Sequence, residues 1–230
     1  MKRMRIAIDG PSSSGKSTLA REVAQALHFR YIDSGAYYRA FTWHLMANGI
    51  NWSDERSVEK ALQNIHMEFL YDSETGQCRM MLNGVDVENR IRTPQVSQAA
   101  SEVSALPAVR RFITEELRRA AAGGGVVMDG RDIGTVVLPD ADVKIFMTAD
   151  ERVRLQRRLK QLKQQGVTTD ETDLASEMRQ RDRQDSARAL APLRKAPDAI
   201  ELDNSNMTYE QQRRFVLRLA RKALRKTPSP

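Results

Sequence analysis

The chain has 230 residues, 40% of them hydrophobic and 29% charged, a length that suits one large domain able to bury a core without disulfide or metal staples. Mean hydropathy is −0.56 and no apolar run approaches the roughly 18 residues of a membrane helix, so a spanning segment is excluded. The formal charge of +7 equals that of the last twenty residues alone, which carry seven basic side chains and no acid.

Residues 5–9 read as a short strand, after which Asp9-Gly10-Pro11 halts the apolar stretch far short of an export signal. Leu19, Val23, Ala24 and Leu27 then repeat at helical spacing over residues 16–27, and residues 29–33 form the next strand. Strand, loop, helix and strand in about thirty residues make a βαβ unit, the signature of a parallel sheet. Helices follow over residues 34–47, with Ser34 as the expected cap, and 54–64. Short strands at 67–71, 78–82 and 85–87 are joined by Ser73-Glu74-Thr75-Gly76 and by Asn83-Gly84, a strong hairpin signal, and read as an antiparallel insertion. Helices return at 95–105 and 108–122, and the runs at 126–129 and 143–147 are apolar enough for strands covered on both faces. Charged helices at 151–164 and 171–185, a strand at 199–202 and a basic terminal helix complete the pattern, and the Thr-Pro-Ser-Pro end is expected to be disordered.

The segment Gly10-Pro11-Ser12-Ser13-Ser14-Gly15-Lys16-Ser17 fits G-x-x-x-x-G-K-S/T, follows a strand and opens a helix. Small residues let main-chain N–H groups curl around phosphate oxygens, and the helix aims its positive end at the same anion. The loop, with Thr18, is therefore the expected ATP site: Lys16 reaches the β- and γ-phosphates and Ser17 ligates Mg²⁺, partly through water. Among P-loop proteins a switch GTPase is disfavoured, because no Asn/Thr-Lys-x-Asp element is present to read guanine.

A kinase needs a second, positive pocket. Asp33-Ser34-Gly35-Ala36-Tyr37-Tyr38-Arg39 and Asp129-Gly130-Arg131-Asp132 stand at strand ends, where α/β sheets bind ligands. Arg181, Asp185 and Arg188 are spaced to share one helix face. Each arginine alone reads more simply as a surface ion pair. The seven basic residues from Arg213 to Lys226 read as the solvent face of a helix whose Phe215, Val216, Leu219 and Ala220 point inward.

Together these segments resemble the bacterial cytidylate kinases from Ile6 to about Asp203. The resemblance also draws on Ile91-Arg92-Thr93, Gly134-Thr135-Val136-Val137, Pro139-Asp140-Ala141, Lys144-Ile145-Phe146 and Ala191-Pro192-Leu193. The loop interior Ser12-Ser13-Ser14 departs from it, since Gly or Ala is commoner there. The resemblance implies an α/β P-loop three-layer fold with a central parallel sheet and a single domain over 1–230. It also implies an antiparallel monophosphate-binding insertion at about 62–98 and a helical lid at about 150–190. It implies transfer of the γ-phosphoryl group of ATP to CMP or dCMP. Ser34, Arg39, Ser101, Arg110, Arg131, Asp132, Arg181, Asp185 and Arg188 would bind CMP. Of these, Arg39, Arg131 and Arg188 would take the phosphate, Arg181 and Asp185 the ribose, and Ser101, Arg110 and Asp132 the base.

Such a reaction needs no histidine, because a phosphate monoester with its second pKa near about 6 is already an anionic nucleophile. His28, His44 and His66 are incidental on this reading. Lys16, Arg131, Arg188 and, from the lid candidates Arg154, Arg157 and Arg158, Arg157 are the expected catalytic cations. A monomer with no membrane or nucleic-acid partner is expected. The single cysteine, Cys78, excludes an internal disulfide and fits the cytoplasm. UMP, AMP and shikimate remain rival acceptors, and RNA binding through the basic terminus remains a rival function.

Overall fold

The computed structural model describes residues 4–72, 74–164 and 166–226. The Thr-Pro-Ser-Pro end therefore lies outside the described residues.

Five parallel strands form the central sheet: β1 (Arg5–Asp9), β2 (Arg30–Asp33), β6 (Val126–Gly130), β7 (Val143–Thr148) and β8 (Ile200–Asp203). Their order is β2-β6-β1-β7-β8, so β1 lies at the centre between β6 and β7. The period-2 alternation of β1 sends Ala7 to one apolar core and Ile6 and Ile8 to the other. The Ala7 face is covered by α2 (Ser34–Ala47), α3 (Glu55–Gln63) and α5 (Pro107–Ala121), and the Ile6 face by α1 (Lys16–Leu27) and α8 (Tyr209–Lys226). Three layers result, as expected for a parallel sheet.

The antiparallel insertion is β3 (Met67–Tyr71), β4 (Cys78–Leu82) and β5 (Val85–Asp86). Asn83 and Gly84 both have positive φ, 49° and 79°, the backbone that a tight hairpin turn requires. α4 (Pro94–Val103) follows it, and α5 (Pro107–Ala121) starts one residue before the expected 108, because proline is tolerated in a first turn.

The stretch read from sequence as a lid holds two helices, α6 (Glu151–Gln164) and α7 (Glu171–Ala187). Leu162, Leu174 and Met178 form a small core between them, backed by Leu155 and Leu159, separate from the two cores of the sheet. On α8, Val216 and Ala220 are buried and Arg214, Arg218, Arg221, Lys222 and Arg225 are exposed, so these five line its solvent face as the sequence suggests, while Arg213 is half-buried.

Three expectations need correction. The cap of α2 is Asp33, whose carboxylate accepts from Ala36 N at 3.0 Å, while Ser34 is already helical and its hydroxyl donates to the Asp129 carbonyl at 2.7 Å. α7 runs two residues past 185, yet Arg188 is not on it. At Arg188 the backbone turns to φ −56° and ψ 134°, and Leu193 N folds back to the Asp185 carbonyl at 2.8 Å. Residues 133–137 form a wide helical turn where no element was expected, because the Asp9 carboxylate accepts from Ile133 N at 2.8 Å and Gly134 N at 2.7 Å. Burial drives the Asp9 carboxyl up to about 7 even so.

Candidate active site

A cleft of about 740 Å³ opens at the C-terminal ends of β1 and β6. Its walls carry eleven lysine and arginine side chains against four carboxylates, so it is built for a strongly anionic ligand.

Its floor is the loop between β1 and α1. Gly15 has φ +90°, a backbone that glycine adopts without strain, and Ser13 enters the same left-handed region at φ 57°. Both line the cleft with Ser12, Ser17 and Thr18, whereas Gly10, Pro11 and Ser14 lie behind it. Lys16 turns back so that its Nζ donates to the Pro11 carbonyl at 3.1 Å. Burial, then the charge of Arg131, lowers its pKa to about 7. Ser17 Oγ donates to Asp129 Oδ2 at 2.7 Å, and Tyr31 OH donates to the other carboxylate oxygen at 2.7 Å.

All nine residues expected to hold the acceptor nucleotide line the same cleft. Most are tied in ion pairs rather than spread over the surface. Arg39 donates to Asp33 Oδ2 at 2.8 Å, and Arg110 pairs with Asp132 at 2.9 Å while lying 5.5 Å from the Tyr38 ring centroid. Asp185 accepts from Arg131 Nε at 2.7 Å and also pairs with Arg188, whose Nη2 donates to Ser104 Oγ at 2.9 Å. Burial alone would raise the Asp185 carboxyl, but Arg131 and Arg188 hold it below the ordinary range. Burial, then Arg131, pushes Arg181 down to about 10, and among the described residues its buried Nε has no hydrogen-bond partner. Ser101 Oγ is placed at the rim by Gln184, 3.3 Å away.

The close packing at β6 depends on Gly130. A Cβ there would stand 2.5 Å from Ser34 Oγ and 2.7 Å from Ile133 Cδ1, forcing apart the strand end that presents Arg131 and Asp132.

Arg157 lines the cleft, but its guanidinium is bonded to the rear of the loop. Nη1 donates to the Ser14 carbonyl at 3.2 Å and Asn204 Oδ1 at 3.0 Å, and Nη2 donates to the Asn204 carbonyl at 3.1 Å. Arg154 instead reaches the loop mouth, donating to Asp182 at 2.5 Å and to the Ser12 carbonyl at 3.1 Å. Sequence reasoning assigned no role to Asp129, Arg92, Asp182 or Asn204. Arg92 stood in a quoted motif, and its Nη1 proves to donate to the same Asp33 oxygen as Arg39, also at 2.8 Å. For Asn204, outside every motif, no sequence signal existed.

Comparison with known proteins matches the cytidylate kinase family model to residues 6–222. A cytidylate kinase of Bacteroides fragilis is 44% identical over 98% of this chain and 100% of its own length. That of Bacteroides thetaiotaomicron is 46% identical over 94% and 96%, and that of Carboxydothermus hydrogenoformans is 45% identical over 90% and 93%. A solved structure from Eubacterium ventriosum, 11% identical, aligns with TM-score 0.51 over 96% of this chain and 99% of that one, a likeness of fold alone.

Proposed function

The chain belongs to the cytidylate kinase family, and on that premise we propose that it transfers the γ-phosphoryl group of ATP to the phosphate of CMP or dCMP. One observation carries the reading. The main-chain loop and the guanidinium groups of Arg39, Arg131 and Arg188 face one cleft, so a donor triphosphate and an acceptor phosphate fit side by side. Residues 1–230 are read as a single domain, with an inserted monophosphate-binding region at about 62–98 and a lid at about 150–190.

An oxygen of the acceptor phosphate, already anionic, attacks the γ-phosphorus as the bond to the bridging oxygen of ADP breaks, giving CDP or dCDP and ADP. Proton transfer contributes little, so catalysis lies in positioning and charge neutralisation. Arg39, Arg131 and Arg188 hold the acceptor phosphate by planar, charge-assisted bonds. Lys16 neutralises the transferring group, and the triphosphate itself favours its charged form. Arg157 adds positive charge from behind the loop. Arg181 and Asp185 bind the ribose. Asp132 accepts from the cytosine amine while Arg110 and Ser101 donate to its acceptor edge. Uracil reverses two of these roles, at about 1–3 kcal/mol for each buried group left unpaired.

The residues present fit Mg²⁺. Burial, then the charge of Asp33, raises the Asp129 carboxyl, and a carboxylate so placed, 2.7 Å from Ser17 Oγ, favours a neighbouring cation. One hydroxyl and one carboxylate suit an ion that keeps its waters and phosphate oxygens. The ion would supply charge neutralisation between the β- and γ-phosphates.

Among the described residues no helix is long and apolar enough to cross a membrane. A coupled assay with ATP, Mg²⁺ and a panel of nucleoside monophosphates tests the reading. CMP and dCMP should be the best acceptors, and a tenfold preference for AMP or UMP overturns it.

A further inference from the structure

The side chain of Asn204, completely buried just after β8, lies 190 residues from the loop it touches. Its Nδ2 donates to the Ser14 carbonyl at 2.8 Å and to Gln212 Oε1 of α8 at 2.9 Å. Its Oδ1 accepts from Arg157, and its backbone N–H donates to the Thr148 carbonyl at 3.0 Å. Gln212, 1% exposed, is itself fixed, since its Nε2 donates to the Met207 carbonyl at 3.1 Å. The amide of Asn204 is thereby held in one orientation, with its donor facing the loop.

The Ser14 carbonyl is thus gripped by two donors, Asn204 and Arg157, on the side of the loop away from the cleft. Among the described residues Ser14 Oγ has no hydrogen-bond partner, so the grip is on the carbonyl and not on the hydroxyl. In a trans peptide the C=O and the following N–H point in opposite directions. Among the described residues no peptide is cis, so fixing the Ser14 carbonyl rearward aims the Gly15 N–H into the cleft, which Gly15 lines. At φ +90°, Gly15 is flexible enough to need that constraint.

We infer that Asn204, oriented by Gln212, is a positioning residue for the donor site: it holds the Ser14–Gly15 peptide so that the Gly15 N–H stays aimed at triphosphate. The inference rests on the loop being the triphosphate site but not on the identity of the acceptor. It links the segment after the last strand, and Gln212 of α8, to the phosphate cradle from behind the loop.

The test uses the full chain and inorganic triphosphate with Mg²⁺, a probe that has no base or sugar. Asn204→Leu removes the side-chain bonds without changing charge, and Gln212→Met removes only the group that orients the amide. By calorimetry, Asn204→Leu should weaken triphosphate binding on the order of tenfold and Gln212→Met by a smaller factor, with CMP affinity unchanged. In the coupled assay KM for ATP should rise while KM for CMP holds. Triphosphate affinity equal to wild type in a folded Asn204→Leu protein overturns the inference, as does an equal loss of CMP binding. If Asn204→Leu does not fold, Gln212→Met decides by the same two criteria. A wild-type protein that binds triphosphate but ignores CMP would sink the proposed reaction and leave this inference standing.

Discussion

Arg110 and Asp132 pair at 2.9 Å with side chains only 6% and 5% exposed, in the wall of the cleft that the loop also lines. Burial raises the Asp132 carboxyl, and Arg110 opposes the rise. An ion pair this dry gives little net stability, yet breaking it strands a buried charge. The pair offers the cleft both a hydrogen-bond acceptor and donors.

Replacing Asp132 with Asn therefore affects two properties. An amide can flip and donate as well as accept, so the preference for CMP over UMP should fall about tenfold. The protein should also lose about 1–3 kcal/mol of stability, because Arg110 faces a neutral partner. Turnover ratios for the two nucleotides and a urea titration measure the effects. Unchanged selectivity would place base recognition elsewhere.

Lys16→Ala should reduce kcat on the order of 10²–10³-fold, the usual cost of removing a group that stabilises transition-state charge. Thermal stability should hold, since burial opposes the lysine's charge and its hydrogen bond runs to the Pro11 carbonyl of its own loop. Circular dichroism melts beside single-turnover rates separate the two effects, and near-normal turnover would remove Lys16 from the mechanism.

Asp33 caps α2 while one of its oxygens serves both Arg39 and Arg92. Burial alone would raise its carboxyl, but the two guanidinium groups hold it well below the ordinary range. Its folded pKa is thus depressed, and the associated stability is fully present above the unfolded value of about 3.9 and is lost as pH falls toward the folded one. Asp33→Asn should cost about 1–3 kcal/mol at pH 7. The gap from wild type should narrow steadily below about pH 4. Denaturant titrations at pH 7, 4 and 3 follow it, and a gap that widens in acid contradicts the assignment.

Arg154→Ala removes the bonds from α6 to Asp182 and to the Ser12 carbonyl. Amide hydrogen exchange in α6 and α7 should quicken while the central sheet keeps its protection. Exchange at the wild-type rate in both helices would show that they are held by other contacts.

Much of this arrangement is legible along the chain because it depends on local patterns. β1, α1 and α6 occupy the expected residues because alternating or helical apolar spacing and the Gly-Pro and Gly-Lys boundaries agree there. The cap of α2 was misplaced because Asp33 and Ser34 are both capable caps and only the contact with Asp129 decides between them. Arg188 was put on a helix face because helical periodicity continues through it. The fold-back of Leu193 onto Asp185, which ends the helix, is a tertiary event. The individual cations were visible, whereas their pairing was not. Arg110 with Asp132, and Asn204 with Ser14, join distant segments that no spacing rule connects.

The apolar seam of Leu155, Leu159, Leu162, Leu174 and Met178 belongs to the α6–α7 pair alone. A displacement of the two helices together would accordingly carry its own dry interior and would not expose the leucines and valines beneath the sheet. The cost of such a movement would then fall on a few polar latches to the loop, such as Arg154 with the Ser12 carbonyl and Asp182 with the Ser12 N–H, which water can replace.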